Sequence, residues 1–325
     1  MSAVVCLVEH DRGALQELSL QALTLGRRLA GELGLPLHAL LVGSEARGLA
    51  EQLGPFGAAV VHLAEHERLE DYAPAAWAAS LLEVLEAVGA PVALAAGTDR
   101  GNEVMAHAAA RAGLPLAANC TAVRPGEPYT VTRVRWGGSL LEEAALEGRV
   151  RMLTVAPHAV RAEETDPAQV EVRSFTPSLE DRDLRVRVMA RTPRPTGAVS
   201  LGQARVVVGG GRGVGGPDGF APLEELASLL GGAVGCSRVA TSLGWRPHAD
   251  QIGQTGTRIA PDLYIACGIS GAIQHMVGCK AAKRVLAINT DPEAPIMTQA
   301  DHAIIGDVHQ VVPALVAELR KVKAG

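Results

Sequence analysis

Aromatic residues are scarce in this chain of 325 residues, which has three Phe, three Trp and three Tyr. Few side chains could therefore form a stacking platform for nucleic-acid bases. The formal net charge is −5 and no basic run is present, which argues against nucleic acid and anionic membranes as partners. No window reaches the ~18 apolar residues of a membrane helix, and residues 1–10 lack the basic start of a signal peptide. We expect a soluble, cytoplasmic protein without direct membrane insertion.

Metal and hydrolase chemistry also lack their usual residues. The cysteines are odd in number and form no C-x-x-C pair, so we expect five reduced thiols and no metal site. They are Cys6, Cys120, Cys236, Cys267 and Cys279. No G-x-S-x-G elbow, Walker loop or H-E-x-x-H motif occurs. His62 and His66 have i, i+4 spacing, but the acidic residues that follow indicate a solvated helical face and not a ligand set.

The first half of the chain alternates strand-like and helix-like segments. Hydrophobic residues make up 48%, and at roughly 150 residues per domain the length favours two domains. Strands are predicted at residues 3–8, 37–42, 59–63 and 92–96, with helices at 15–33 and 75–88. This β-α-β order predicts a parallel sheet flanked by helices. Residues 129–136, 149–155, 170–175 and 184–190 look like short antiparallel strands appended to the same domain.

A proline-containing stretch separates the two predicted domains. Residues 191–197 contain Pro193 and Pro195, which cannot continue a regular helix or sheet. We predict an N-terminal α/β domain at 1–195, a linker at 196–203 and a C-terminal domain at 204–325. The second domain has predicted strands at 204–208, 232–235, 263–267, 284–288 and 302–305 and helices at 223–230, 270–277 and 308–323. The fold class is α/β, with a mostly parallel sheet in each domain and a doubly wound C-terminal one.

A glycine-rich loop follows the first strand of the second domain. Gly211, Gly213 and Gly216 satisfy G-x-G-x-x-G, but residues 217–222 separate the third glycine from the next helix. The next strand is not followed by the acidic residue that a dinucleotide ribose requires. A standard nicotinamide dinucleotide site is therefore disfavoured. Backbone amides in the loop could still approach a ligand, with Arg212 beside them as a fixed charge.

The segment 263–275 is more informative. A buried strand ends near residue 268, and Ser270 is placed to cap the helix that follows. Gly271 and Ala272, in the predicted first turn, would leave free N–H groups open to a phosphate. His275 lies one turn further on, where it could reach a ring above the helix. The alternative is an ordinary capped helix with a surface histidine.

Two further polar segments fall near strand ends. Gln254 and Thr255 are bracketed by glycines at 253 and 256, and Ser237 and Arg238 follow the strand predicted at 232–235. Turns use such residues routinely. However, four polar, glycine-rich segments in one α/β unit converge on carboxyl ends of strands, where open parallel sheets bind ligands.

Five separated motifs, within about residues 206–313, resemble motifs that occur in the same order in the FAD domain of the electron transfer flavoprotein alpha subunit. They are residues 210–213 (GGRG), 235–238 (GCSR), 253–256 (GQTG), 270–275 (SGAIQH) and 287–296 (AINTDPEAPI). The N-terminal domain resembles the family more loosely, at 97–114 and 133–155. It departs from the family at Ala106-His107, where relatives often have Pro-Arg, and at Ala156, which replaces an arginine.

The resemblance implies a role for each matching residue. Arg212, Ser237 and the turn 270–275 would hold the pyrophosphate, the ribityl chain and the flavin edge. Thr255 would lie near the flavin N5, His275 near O2, and Arg238 close to the isoalloxazine ring, so these three would tune the redox potential. Asn289 and Asp307, with Val308, would contact the adenosine end. The remaining implied cofactor residues are Ile252, Gly253, Gln254, Gly256, Ser270, Gly271, Ala272, Ile273 and Gln274.

The resemblance also implies an electron carrier without an organic substrate of its own. Its partner would be a beta subunit that carries an AMP. Electrons would come from acyl-CoA and related flavin dehydrogenases, as in fatty acid β-oxidation, and leave to a membrane quinone oxidoreductase. Three alternatives stay open. An NAD-linked dehydrogenase needs the missing ribose partner, and an adenine-nucleotide-binding regulatory protein has no use for Thr255 and Arg238 together. The partner's sequence would identify an electron-bifurcating relative with a second FAD.

Overall fold

The computed structural model describes residues 2–11, 13–69, 71–138, 140–166, 169–190 and 200–324. The chain forms two compact units, Met1–Thr192 and Pro193–Gly325. The prolines at 193 and 195 and residues 196–199 of the predicted linker lie outside the described residues. The other four linker residues form a turn, in which the amides of Gln203 and Ala204 donate to the carbonyl of Ser200 at 3.0 Å. The domain limits 1–195, 196–203 and 204–325 stay a prediction.

The first unit contains eleven described strands, three described α-helices and three described 3₁₀ segments, of which Ser44–Phe56 is the longest. The strands are β1 (Val4–Leu7), β2 (His10–Asp11), β3 (Ala14–Leu15), β4 (Leu37–Val42), β5 (Ala58–Ala64), β6 (Val92–Ala96), β7 (Leu116–Arg124), β8 (Thr130–Arg135), β9 (Leu140–Ala145), β10 (Arg151–Val155) and β11 (Glu171–Phe175). The helices are α1 (Glu17–Leu33), α2 (Pro74–Ala87) and α3 (Asp99–Ala112). Nine strands form one sheet in the order β11-β5-β4-β1-β6-β10-β7-β8-β9, and β2 pairs with β3 in a small hairpin.

Helices cover both faces of the large sheet, so its central strands are apolar along their whole length. All four residues of β1, Val-Val-Cys-Leu, are buried. Alternate residues of β1 belong to two hydrophobic clusters, one on each face of the sheet. A left-handed glycine, Gly34 with φ 64°, ends α1. The predicted parallel α/β layer is confirmed.

The predicted antiparallel addition is only partly correct. The strands β7, β8 and β9 do pair antiparallel. However, β10 lies between β6 and β7 and is parallel to both, and β11 is parallel to β5. Residues 184–190 form no strand: Leu184 ends the 3₁₀ turn Asp181–Leu184, and residues 185–190 follow it. Alternation of side chains indicates that a segment is extended but not which direction its neighbour runs, which is why these predictions were wrong.

The second unit is a five-stranded parallel sheet with helices between its strands. Its strands are β12 (Val206–Gly210), β13 (Ala233–Cys236), β14 (Leu263–Cys267), β15 (Val285–Asn289) and β16 (His302–Ile305), and its helices are α4 (Ala221–Leu229), α5 (Arg238–Ser242), α6 (Ile273–Cys279), α7 (Pro295–Gln299) and α8 (Val308–Ala324). The strand order is β13-β12-β14-β15-β16, and all four pairings are parallel. The predicted doubly wound fold is confirmed.

The strand order of the second unit reverses between β12 and β14. The chain moves outward from β12 to the edge strand β13 and then crosses back to β14 on the other side. The loops that follow β12 and β14 therefore diverge, which opens a crevice at the carboxyl ends of these strands. Open α/β sheets bind their ligands at such switch points.

Side-chain and helix properties agree with the composition. All five cysteines are buried and unpaired; their reduced state stays a prediction. In the described part of the chain, no group of three or more His, Cys, Asp or Glu residues could hold a metal ion. Among the same residues, no helix is both long and apolar enough to cross a bilayer. His62 lies on β5 with its side chain buried and not on a solvated helical face, so that expectation was wrong.

Candidate functional site

Five of the predicted site segments meet at one edge of the second sheet. Arg212 follows β12, Ser237 follows β13, Ser270 follows β14, Asn289 ends β15 and Asp307 follows β16. Because all five strands run parallel, their carboxyl ends lie at the same edge. The structure therefore brings these segments together as the sequence predicted.

The loop 251–257 reaches this edge through two backbone hydrogen bonds. The amide of Ile252 donates to the carbonyl of Cys236 at the end of β13, at 2.8 Å. The amide of Gln254 donates to the carbonyl of Gln274 on α6, at 2.7 Å. The loop is thus held at β13 and α6, and the side chains of Gln254 and Thr255 are exposed there.

The glycine-rich loop after β12 packs against the turn after β14. The amide of Gly211 donates to the carbonyl of Cys267 at 2.9 Å, and the amide of Gly213 to that of Gly268 at 3.0 Å. A Cβ on Gly211 would overlap the carbonyl oxygen of Gly268. These glycines are needed for close backbone contact between two loops, and their own amides are used in that contact; approach of the loop's other amides to a ligand stays a prediction. Arg212 between them keeps an exposed side chain.

Helix α6 begins three residues later than predicted. Its first residue is Ile273 and its N-cap is Ala272, so Ser270 does not cap the helix. The reason is Gly271, which has a φ of 82° and packs against the backbone of Ile296. Since this left-handed residue cannot belong to a helix, the segment 268–272 is a turn. In the described structure the amides of residues 269–272 donate to no backbone acceptor, and Ser270 and Ala272 are exposed at this edge.

His275 is buried, and the alternative of a surface histidine was wrong. Its side chain is enclosed, with a residue exposure of 7%, and its Nε2 lies 2.7 Å from the hydroxyl of Tyr264. Burial lowers the pKa of His275 to about 4, so the ring is neutral. In the described part of the chain the Tyr264 hydroxyl has no other acceptor, so it donates to Nε2 and the ring proton lies on Nδ1.

One buried polar side chain at this edge lacks a partner: the hydroxyl of Ser237 has no hydrogen-bond partner among the described residues. The ring of His275 is different, because the backbone of Ile252 lies near enough to raise its pKa against the effect of burial. Ser237 is the N-cap of α5, yet its side chain makes no capping bond. A buried polar group left unpaired costs about 1–3 kcal/mol, so native structures rarely keep one without a ligand or water. The Ser237 hydroxyl therefore indicates a polar ligand at this edge.

Two free positive charges lie on the segments next to this hydroxyl. The side chains of Arg212 and Arg238 are exposed, and within the described ranges neither guanidinium has a carboxylate or other hydrogen-bond partner. By contrast, Arg246 in the same unit pairs with Asp250 and Glu224. Unpaired arginines, free amides and an orphaned hydroxyl are the donor set that an anionic pyrophosphate requires.

Comparison with known proteins identifies the family. A family model described as "Electron transfer flavoprotein domain" matches residues 4–180, and one described as "Electron transfer flavoprotein FAD-binding domain" matches residues 200–280. The electron transfer flavoprotein subunit alpha of Thermoanaerobacterium thermosaccharolyticum is 35% identical over 319 residues, which cover 97% of this chain and 97% of that protein. This chain belongs to the electron transfer flavoprotein alpha-subunit family.

Other relatives agree over nearly their full length. Protein FixB of Clostridium saccharobutylicum is 38% identical, and the match covers 97% of this chain and 95% of that protein. The electron transfer flavoprotein subunit alpha of Bacillus subtilis is 35% identical, and the match covers 98% of this chain and 97% of that protein. The second unit of this alpha-family chain is therefore a FAD-binding domain, and its family role is electron transfer as one half of a heterodimer with a beta subunit.

The unpaired Ser237 hydroxyl and the free charges of Arg212 and Arg238 fit FAD in this alpha-family domain.

Several predicted cofactor residues can contribute only backbone groups or shape. The side chains of Ile252 and Val308 are buried in hydrophobic clusters. Gly253 packs against the carbonyl of Gln274, and Gly256 packs against that of Gln251. These residues determine the path of the loops, and we expect only their backbone groups to contact a ligand.

Asn289 and Asp307 are partly committed to their own loops. Asn289 donates through Nδ2 to the carbonyl of Ile269 at 2.9 Å, and its Oδ1 accepts from the amide of Asp291 at 3.0 Å. The carboxylate of Asp307 accepts from the amide of His309 at 2.9 Å through Oδ1. Asn289 thus ties β15 to the turn after β14. The second carboxylate oxygen of Asp307 remains for a ligand at this exposed position.

Sequence reasoning missed two buried side chains that support this site. Tyr264, on β14, is fully enclosed and contacts His275. Gln251 is 3% exposed, lies within hydrogen-bond distance of Thr241 and donates to Thr255. Tyr264 occupies an apolar strand and Gln251 precedes the recognised loop by one residue. No spacing signal therefore marked either of them.

Proposed function

We propose that this chain holds the FAD of a heterodimeric electron transfer flavoprotein, at the carboxyl edge of the second sheet. The observation that carries the proposal is the buried hydroxyl of Ser237, which has no hydrogen-bond partner among the described residues, beside the unpaired guanidinium groups of Arg212 and Arg238. Burying this hydroxyl without a partner would be unfavourable unless a ligand satisfies it. The match of residues 200–280 to an FAD-binding domain supports FAD as that ligand.

The phosphate end of the cofactor would lie near the switch point of the sheet. Arg212, the Ser237 hydroxyl and the free amides of the turn 269–272 supply a cation and several donors for two phosphate groups. Asn289 and Asp307, at the ends of the next two strands, would contact the adenosine end. Successive N–H groups in a turn form an anion-binding concavity even without a helix N-terminus.

The ring end would lie near Arg238, Thr255 and His275. When bound, FAD supplies reversible one-electron and two-electron redox chemistry, and the protein tunes the potential. Arg238 would place a positive charge near the ring, which favours the more negative, reduced forms. Neutral His275 would offer its Nδ1–H without adding charge. The exposed hydroxyl of Thr255 can either donate or accept a hydrogen bond.

The partners follow from the family resemblance. A beta subunit carrying an AMP would complete the pocket, acyl-CoA and related flavin dehydrogenases would deliver electrons, and a membrane quinone oxidoreductase would accept them. The carrier would act in the cytoplasm and transform no organic substrate of its own. The exposed edge of the second sheet supports such a role, because a ligand bound there is accessible to proteins that dock in turn.

A binding experiment on the heterodimer, co-purified with its beta subunit, tests the site. Ser237→Ala removes the orphaned hydroxyl, and we expect FAD affinity to fall about tenfold because a charge-assisted hydrogen bond is lost. Ser228→Ala, at an exposed serine of α4, serves as the control and should bind FAD normally. Equal affinities for the two variants would place the cofactor elsewhere. Two flavins per heterodimer would indicate a bifurcating relative.

A further inference from the structure

Gln251 links the flavin site to the interior of the second unit. Its side chain is 3% exposed, and its backbone lies beside Cys236, the last residue of β13, in an isolated parallel bridge. The amide of Gln251 donates to the carbonyl of His248 at 3.0 Å, and its own carbonyl accepts from Thr257 at 2.7 Å. The side chain therefore leaves a rigidly held backbone, which fixes where its amide group lies.

Both ends of this buried side-chain amide contact threonine hydroxyls. Nε2 donates to Oγ1 of Thr255 at 2.9 Å, and Oε1 lies 2.6 Å from Oγ1 of Thr241. Thr241 is half-buried on α5, whereas Thr255 is exposed at the site. Gln251 thus holds Thr255 from the protein side and leaves the other side of that hydroxyl open to the ligand.

The amide can serve Thr255 in two orientations. As placed, Gln251 donates to Thr255, so the Thr255 proton is free to point into the site. The hydroxyl of Thr241 also lies 2.9 Å from the carbonyl of Arg238. If the amide turned by 180°, Thr241 would donate to Arg238 and accept from Nε2, while Thr255 would donate to Oε1. Both arrangements satisfy the buried groups, and they give Thr255 opposite hydrogen-bond polarity towards a ligand.

We propose that Gln251 is a positioning residue for Thr255, which holds its hydroxyl at the flavin site and sets whether that hydroxyl donates or accepts there. The inference rests on the proposed function, since it requires the ring of FAD beside Thr255. This role requires a planar group that carries both a hydrogen-bond donor and a hydrogen-bond acceptor, as the amide of glutamine does. Neither Glu nor Met offers both.

A double-mutant cycle on the FAD-loaded heterodimer tests this inference. Gln251→Met, Thr255→Val and the double variant are compared with wild type by potentiometric titration of the bound flavin. We expect Gln251→Met to change the redox equilibrium about tenfold, which is about 59 mV for a one-electron step. In the Thr255→Val background the same change should have less than about a twofold effect, because Gln251 acts only through Thr255.

Two further variants separate positioning from stability. Thr241→Val removes the inner partner with little change in volume, and it should shift the potential in the same direction as Gln251→Met but by less. It also keeps the test decisive if Gln251→Met does not fold. Gln52→Met, at an exposed position of the 3₁₀ segment Ser44–Phe56 in the first unit, repeats the chemical change away from the site and should leave the potential unchanged.

The outcomes distinguish this inference from the proposed function. If Gln251→Met shifts the potential equally with and without the Thr255 hydroxyl, Gln251 acts on the loop and the inference fails. If Thr255→Val shifts the potential but neither Gln251→Met nor Thr241→Val does, the inference fails while the proposed site stands. A Thr255→Val heterodimer with FAD bound at the wild-type potential would overturn the role of Thr255 and the inference with it. A heterodimer that binds no FAD would overturn the proposed function.

Discussion

Acid should destabilise the first unit through a buried histidine pair. Nδ1 of His38 on β4 lies 3.0 Å from Nε2 of His62 on β5, and the residues are only 6% and 8% exposed. Burial lowers the pKa of both rings. For His62 the charge on His38 adds to this effect, followed by that on Arg173 of β11, and its pKa falls to about 4, although Glu171 opposes the shift. One proton shared between the two nitrogens satisfies the neutral pair.

The size and sign of the effect follow from the difference between the folded and unfolded chains. An unfolded histidine takes up a proton near pH 6.5, whereas folded His62 does so only near pH 4. The free energy of unfolding therefore falls as the pH drops from about 6.5 to about 4, and this pair has no effect on its pH dependence above that range. The full difference approaches ~3 kcal/mol, and partial screening by water reduces it to about 2 kcal/mol.

Hydrogen exchange of the strands β4 and β5, followed by mass spectrometry between pH 7 and 4 and corrected for intrinsic exchange, measures this loss. We expect His62→Gln to lose about 2 kcal/mol less than wild type over that interval. His107→Gln, at a half-buried position of α3, should behave like wild type. Comparison of variants cancels the contributions of other groups. Equal losses in wild type and His62→Gln would refute the reasoning.

Three further substitutions test other parts of the account. Burial raises the pKa of Glu9 to about 7, so the free energy of unfolding falls as the pH rises from about 4.5 through 7. Glu9→Gln should remove about 2 kcal/mol of that loss, measured by urea unfolding. An unchanged dependence of the unfolding free energy on pH would contradict this prediction. Gly271→Val places a branched side chain on a residue with φ 82°, where it would overlap Ile296. FAD affinity, measured by fluorescence, should fall at least about tenfold. Wild-type affinity would exclude this turn as a phosphate site. Arg238→Ala should keep FAD but lower its potential by about 59 mV, whereas loss of FAD without a change in potential would remove its electronic role.

The parallel sheet of the second unit was predictable because each strand is a short apolar run between turn residues. All five strands were placed within about two residues, and the polar segments at their ends came with them. The direction of β10 and β11 was not predictable, since it depends on which strands they pair with. The short helices α5 and α7, of five residues each, were missed because so few residues show no helical period.

The sequence predicted which segments form the site, but not how their residues are arranged. The start of α6 was misplaced because Ser270 resembles an N-cap in the sequence, whereas the positive φ of Gly271 and its contact with Ile296 delay the helix. The burial of His275 and the contacts of Gln251 arise from packing between segments that are distant along the chain. Local patterns contain no information on such contacts.

Stepwise anaerobic reduction with dithionite, followed by absorbance, tests the central claim most directly. The sample is this chain purified with its co-expressed beta subunit, and the flavin content is measured after denaturation. We predict one FAD per heterodimer, reduced in two resolved one-electron steps. A colourless complex that cannot be reconstituted with FAD would contradict the account.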